Sequence, residues 1–236
     1  MAVPLPIVGR VAELEAGLAA YARVVAGQSS VLLISGEAGI GKTRLVEALC
    51  ERACSAAGGA QVRIGESAPL AGAALAYGPF LAALRDRAGW LLASDGAGDG
   101  GDMLVERHRL FVRVHSVLAD LAAQAPVVLA LEDLHWADES SRELLTFLAV
   151  WLREEPVLVI ATMREENLAS DTRQWLAELE RRPRVTRLRL TGLDGGGDIR
   201  CGRQPAVRQR SGQRRSLRPA CLDRRRRAGP GGRYPR

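Results

Sequence analysis

The chain has 236 residues, 47% hydrophobic and 25% charged, which suits one α/β domain with a short appendage and excludes several large domains. No run of 18 or more apolar residues is long enough to cross a membrane, and the first eight residues lack the basic start and apolar stretch of a secretory signal, so a cytoplasmic chain is expected. The formal net charge of +6 divides unevenly: residues 1–197 carry 20 basic against 25 acidic side chains, and 198–236 carry 13 arginines against Asp198 and Asp223, so a nucleic-acid reading drawn from charge rests on the last 39 residues alone.

Apolar runs of strand type alternate with segments of helical period, the pattern of a parallel sheet covered on both faces. The first strand is expected at Ser30–Ser35, followed by a helix from about Lys42 to Ala56 with Leu45, Leu49 and Ala53 on one face. A weaker strand is expected at Ala60–Gly65, a helix over 79–92, a loop of Gly, Asp and Ser over 94–102, and a long helix over 103–124. Pro126–Leu131 reads as a central buried strand. Ser140 is placed as the cap of a helix over 141–153, with Glu143 completing a capping box. Pro156–Ala161 is another buried strand, a helix follows around 171–182, and the alternation in Val185–Leu190 suits an edge strand. The fold class is therefore α/β, a three-layer P-loop NTPase with a five-stranded, mainly parallel sheet. The domain is expected over 1–193, with 194–236 a disordered basic tail: Arg, Gly and Pro dominate there, and its few apolar residues share no period. Cys50, Cys54, Cys201 and Cys221 form no CxxC pair and no disulfide framework or zinc site; the first two read as buried thiols on one helix face.

Gly36-Glu37-Ala38-Gly39-Ile40-Gly41-Lys42-Thr43 fits G-x-x-x-x-G-K-[ST] between a strand and a helix, as the phosphate-binding loop requires. Glycines let the loop curl so that backbone N–H groups converge on phosphate oxygens, and the helix N-terminus that follows through Arg44 adds its dipole. Lys42, the only lysine in the chain, is expected to neutralise β/γ-phosphate charge, and Thr43 to offer its hydroxyl to Mg²⁺. Glu132 and Asp133 end the buried strand where a Walker-B acid meets the metal shell, so one is expected to hold Mg²⁺ and the other to orient the attacking water. The residue types leave open which acid does which.

With Ile7-Val8-Gly9-Arg10, Glu13-Leu14, Tyr77-Gly-Pro-Phe80, Leu131-Glu-Asp-Leu-His-Trp-Ala-Asp138 and Ala161-Thr-Met-Arg164, these motifs over about residues 5–193 resemble the ATPase module of the STAND group of AAA+-like P-loop proteins. They resemble in particular the AAA-16-type module of large LuxR-family transcriptional regulators. The resemblance implies that the Val8-Gly9-Arg10 turn lies against adenine, that Thr162 and Arg164 form the sensor of the γ-phosphate, and that His135-Trp136 flanks the metal site. It implies ATP and Mg²⁺ as ligands, and a homo-oligomer or a two-state switch as the mode of action. Such proteins continue into a helical lid and later a helix-turn-helix, and here the pattern stops near Asp194. A reading-frame shift near 194–198, a genuine basic tail and a short chain with an inert end all account for that.

The leading expectation is an Mg-ATP-binding, slowly hydrolysing switch module of a signalling or transcriptional regulator, a weak ATPase at most. DNA would be met only through a missing C-terminal domain or weakly and non-specifically through the Arg tail. A stand-alone P-loop ATPase that binds nucleic acid through that tail, and a small-molecule phosphotransferase, remain the alternatives. No membrane partner is expected.

Overall fold

The computed structural model describes residues 9–56, 58–67, 69–70, 73–92, 103–166 and 168–192. Val8, the expected loop at 94–102 and the expected tail at 194–236 lie outside the described residues. In chain order the elements begin with helix α1 (Val11–Val25), strand β1 (Ser30–Gly36), helix α2 (Lys42–Ser55) and strand β2 (Gln61–Glu66). A two-stranded antiparallel ribbon, β3 (Pro69–Leu70) and β4 (Ala73–Ala74), leads into α3 (Gly78–Ala83) and α4 (Ala88–Leu91). Then come α5 (Met103–Ala122), β5 (Val127–Glu132), a 3-10 turn (Leu134–Trp136), α6 (Glu139–Trp151), β6 (Val157–Met163), α7 (Ser170–Glu180) and β7 (Val185–Leu190).

Five strands form one sheet in the order β2-β5-β6-β1-β7, and every neighbouring pair is parallel. The three inner strands are buried along their whole length and carry near-continuous Val, Leu and Ile, as strands covered on both faces must. Alternate residues serve opposite layers. Leu32, Ile34, Val128, Ala130, Leu158 and Ile160 pack under α1 and α2, while Val31, Leu33, Leu129, Leu131, Val159 and Ala161 pack under the helices of the other face. The three-layer expectation holds, and the sheet is wholly parallel. Among the described residues no helix is long and apolar enough to cross a membrane.

Local differences from the sequence expectation have physical causes. The helix expected over 79–92 is two short helices separated by a turn at 84–87, where Arg63 of β2 ion-pairs with Asp86 at 3.1 Å. Helix α6 starts two residues before the expected position, capped by Asp138, whose carboxylate accepts the Ser141 N–H at 3.2 Å; Ser140 is not the cap. Cys50 is buried and free, whereas Cys54 is only partly covered.

The topology decides where a ligand can sit. The chain leaves β1 across β6 and β5 to reach β2, and later passes over β1 between β6 and β7. In open parallel sheets such a change of direction opens a crevice at the carboxyl ends of the strands. The register sets Glu66 beside Glu132, Leu131 beside Ala161 and Gly36 beside Leu190, so the chemistry-bearing ends of all five strands meet along one edge.

Candidate functional site

The loop between β1 and α2 turns on backbone angles that side chains rarely adopt. Gly41, which precedes α2, has φ +100, and a Cβ on Gly36 would stand 2.7 Å from the carbonyl oxygen of Leu190. Glu37, Ala38 and Gly39 are exposed along this loop, and Ile40 is half-buried. Lys42 is only 7% exposed and folds back on the loop, its Nζ donating to the carbonyls of Gly36 at 2.9 Å and Glu37 at 2.7 Å. Burial pushes its ammonium below the ordinary lysine range, with the Asp133 carboxylate opposing and the Arg164 guanidinium reinforcing the shift.

Thr43 Oγ1 donates to Glu132 Oε2 at 2.7 Å and so joins the first turn of α2 to the end of β5. Glu132 is 4% exposed and its other oxygen, Oε1, has no hydrogen-bond partner among the described residues. Burial raises its carboxyl above the usual range against the Thr43 hydrogen bond, and Asp133 adds to the rise. Asp133 itself adopts φ 57, ψ 42, left-handed for a residue with a side chain, and its N–H donates to Thr162 Oγ1 at 3.0 Å. Thr162 of β6 is thus a fastener of the Asp133 backbone.

Arg164, just past β6, reaches the same cleft. It lines a space of about 500 Å³ with Gly39, Gly41, Lys42, Thr43, Arg44, Glu132 and Asp133. Arg44 is half-buried and ion-paired to Glu47 at 2.9 Å. Glu47 and Glu66 also line the cleft, and the sequence reading passed over both. Glu66 carried no signal of its own in the sequence, since only the register of β2 against β5 sets it beside Glu132.

Arg10 is buried at the start of α1, pairs with Glu13 at 2.9 Å, and donates to the carbonyls of Ile40 at 3.4 Å and Thr191 at 2.5 Å. The Gly9-Arg10 turn, with Gly9 at φ 70, is therefore anchored to the glycine loop and to the exit of β7. His135 has a 10% exposed side chain, its ring 5.1 Å from that of Trp136. Its Nδ1 stands 3.8 Å from Asp133 Oδ1, outside hydrogen-bond reach, and burial lowers its pKa.

The oxygen donors at the cleft suit a hard divalent cation: the Thr43 hydroxyl, the Asp133 carboxylate, and a Glu132 carboxylate with one buried oxygen unengaged. Among the described residues no group of three or more His, Cys, Asp or Glu is arranged to hold a metal unaided.

An uncharacterized protein of Rhizobium meliloti (strain 1021) is 30% identical to this chain over 225 residues, covering 80% of the chain. The chain spans 21% of the length of that relative. Among solved structures, Drosophila ORC bound to GC-rich DNA and Cdc6 is similar at 14% identity and TM-score 0.43, over 80% of this chain and 64% of that one. C. elegans PCH-2 is similar at 16% identity and TM-score 0.42, over 77% of this chain and 43% of that one. The Signal Transduction ATPase with Numerous Domains (STAND) protein with a tetratricopeptide repeat sensor from Pyrococcus horikoshii is similar at 19% identity and TM-score 0.41, over 80% of this chain and 24% of that one. The model of the AAA ATPase domain family matches residues 6–160, and the chain belongs to that nucleotide-binding family.

Proposed function

We propose that the cleft binds Mg-ATP and hydrolyses it slowly, as the switch module of a longer signalling or transcriptional regulator of the LuxR kind. The single observation that carries the site reading is the Thr43–Glu132 hydrogen bond, which sets a hydroxyl and a half-engaged carboxylate side by side next to Lys42. In this reading Lys42 exchanges the Gly36 and Glu37 carbonyls for β- and γ-phosphate oxygens. Gly36, Glu37, Ala38, Gly39, Ile40 and Gly41 surround the phosphates, with Arg44 at the start of α2. Thr43 and Glu132 hold the cation, which supplies charge neutralisation for the phosphates when bound. Asp133, pinned by Thr162, orients the attacking water, and Arg164 reads the γ-phosphate. The Gly9-Arg10 turn, with Val8 before it, borders the base. Membership of the AAA ATPase domain family supports nucleotide as the ligand, and the one-fifth share of the Rhizobium relative's length supports a module within a larger protein.

The test is titration of a fluorescent ATP analogue with and without Mg²⁺, together with phosphate release. Lys42→Ala is expected to weaken ATP binding by about a hundredfold, the worth of hydrogen bonds from an ammonium to a charged acceptor. Glu132→Gln and Asp133→Asn should slow phosphate release more than they weaken binding. Unchanged affinity in Lys42→Ala removes the phosphate assignment, and full turnover in both acid variants removes the metal assignment. Phosphate appearing on a metabolite instead of in water would favour the phosphotransferase alternative.

A further inference from the structure

The end of β6 sends the polar residues Thr162, Arg164 and Glu165 to different places. Thr162 fastens Asp133, Arg164 enters the cleft, and Glu165 turns toward β1 and β7. Glu165 Oε1 accepts from Ser35 Oγ at 2.6 Å and from Arg187 Nη2 at 2.7 Å, while its Oε2 pairs with Arg189 Nη2 at 2.6 Å. Arg187 also donates from Nε to Ser35 Oγ at 2.9 Å and from Nη1 to Glu180 of α7. Ser35 is fully buried and immediately precedes Gly36, where the glycine loop begins. A single carboxylate thus ties the residue after Arg164 to the root of the loop and to the last strand.

Such an arrangement fixes more than the sheet needs, since β1 and β7 are already joined by a six-residue parallel register. What the extra bonds hold is the turn that aims Arg164. We propose that Glu165 is a positioning residue for Arg164: it clamps the turn after β6 so that the neighbouring guanidinium stands in the cleft where a γ-phosphate would be read. The inference rests on the Mg-ATP reading of the cleft. Burial alone would raise the Glu165 carboxyl; the Ser35 hydroxyl and the two arginines outweigh it and hold the group ionised, as a clamp requires.

The experiment compares dissociation constants for Mg-ATP and Mg-ADP in the full chain and in Arg164→Ala, Glu165→Ala, Glu165→Gln and the double alanine variant. Arg164→Ala is expected to cut the preference for ATP over ADP about tenfold, the worth of one charge-assisted hydrogen bond. Glu165→Ala should reproduce that loss while ADP affinity stays within about twofold, because ADP lacks the group that Arg164 reads. Glu165→Gln, which keeps an acceptor for Ser35, should recover part of the preference. The double variant should be no worse than Arg164→Ala, since two residues acting as one unit are not additive. An unchanged ATP/ADP ratio in Glu165→Ala, additive losses in the double variant, or a parent chain that binds the two nucleotides alike overturns the proposal. If Glu165→Ala fails to fold, Arg187→Lys is read the same way: it keeps the charge and loses the fork that spans Ser35 and Glu165. Failure of the parent chain to bind either nucleotide sinks the cleft reading itself. Binding that is lost in Lys42→Ala but indifferent to Glu165 sinks the clamp alone.

Discussion

Glu132 lines the cleft and Glu165 follows Arg164, which lines it too, yet the surroundings of the two carboxyls drive ionisation in opposite directions. Burial lifts the Glu132 carboxyl. At Glu165 burial acts the same way but loses to the Ser35 hydroxyl and the Arg187 and Arg189 guanidiniums, and the pKa falls below its ordinary value of 4.5. A carboxyl with a depressed folded pKa contributes stability that is present above its unfolded pKa and is lost as pH falls through the folded one. Glu165→Gln should therefore lower the urea midpoint at pH 7, with a gap to the parent chain that shrinks as pH falls below about 4.5. A gap of constant size between pH 7 and pH 4 would mean that the charge contributes nothing. Arg189 is 70% exposed, so Arg187 and Ser35 carry most of the effect. These residues also mark the limit of legibility at this scale. Lys42, Thr43, Glu132, Asp133 and Arg164 could be picked out because each stands in a contiguous motif. Ser35, Glu165 and Arg187 could not, since only the register of three strands brings them together.

Among the elements, the inner strands were legible because full burial forces long apolar runs, and β7 because its alternation matches an edge. Helix α1 was not foreseen as an element. Its buried positions Gly17, Ala20, Tyr21 and Val24 keep helical spacing, but small residues give little hydrophobic contrast. Gly17 is small for a reason the sequence does not state, since a Cβ there would stand 2.5 Å from Leu49 Cδ2 of α2. The start of α6 went wrong differently. Ser140 with Glu143 satisfies the capping-box pattern, yet Asp138 also has a side chain short enough to reach the N–H three residues on, and it holds that N–H. Asp138→Ala should cost about 1 kcal/mol of stability in thermal or urea unfolding, and Asp138→Asn should restore most of it. Equal losses in the two variants would show that the carboxylate matters for something other than the cap. The cap lies five residues past Asp133, across the 3-10 turn Leu134–Trp136, so it also anchors the segment that leads away from the strand-end acids.

For the whole molecule the decisive property is polarity. Five parallel strands all end on one edge, so that edge collects the glycine loop, Glu66, both strand-end acids, Arg164 and the Arg10 anchor, while the opposite edge carries connections such as Ser29 to Arg153 and Val127 to Pro156. A ligand held at the first edge touches four of the five strands near their ends and both layers of helices, through α2 and through the turn before α6. Its binding energy therefore adds to global stability and does not merely order one loop. At a free concentration one hundred times the dissociation constant, a ligand that binds only the folded state adds about 2.7 kcal/mol. For a domain of this size that corresponds to a rise in Tm of about 5–10 °C. Mg-ATP should produce such a rise in the full chain, and Lys42→Ala should lose it at the same nucleotide concentration. Hydrogen exchange should locate the effect: global stabilisation slows the amides that exchange only through full unfolding at both ends of the sheet, and Gly39, Gly41, Asp133 and Arg164 should gain protection beyond that shared rise. A rise in Tm without extra protection at the cleft amides, beyond the increase they share with Ser29, Gln61 and Val127, would point to nucleotide bound elsewhere.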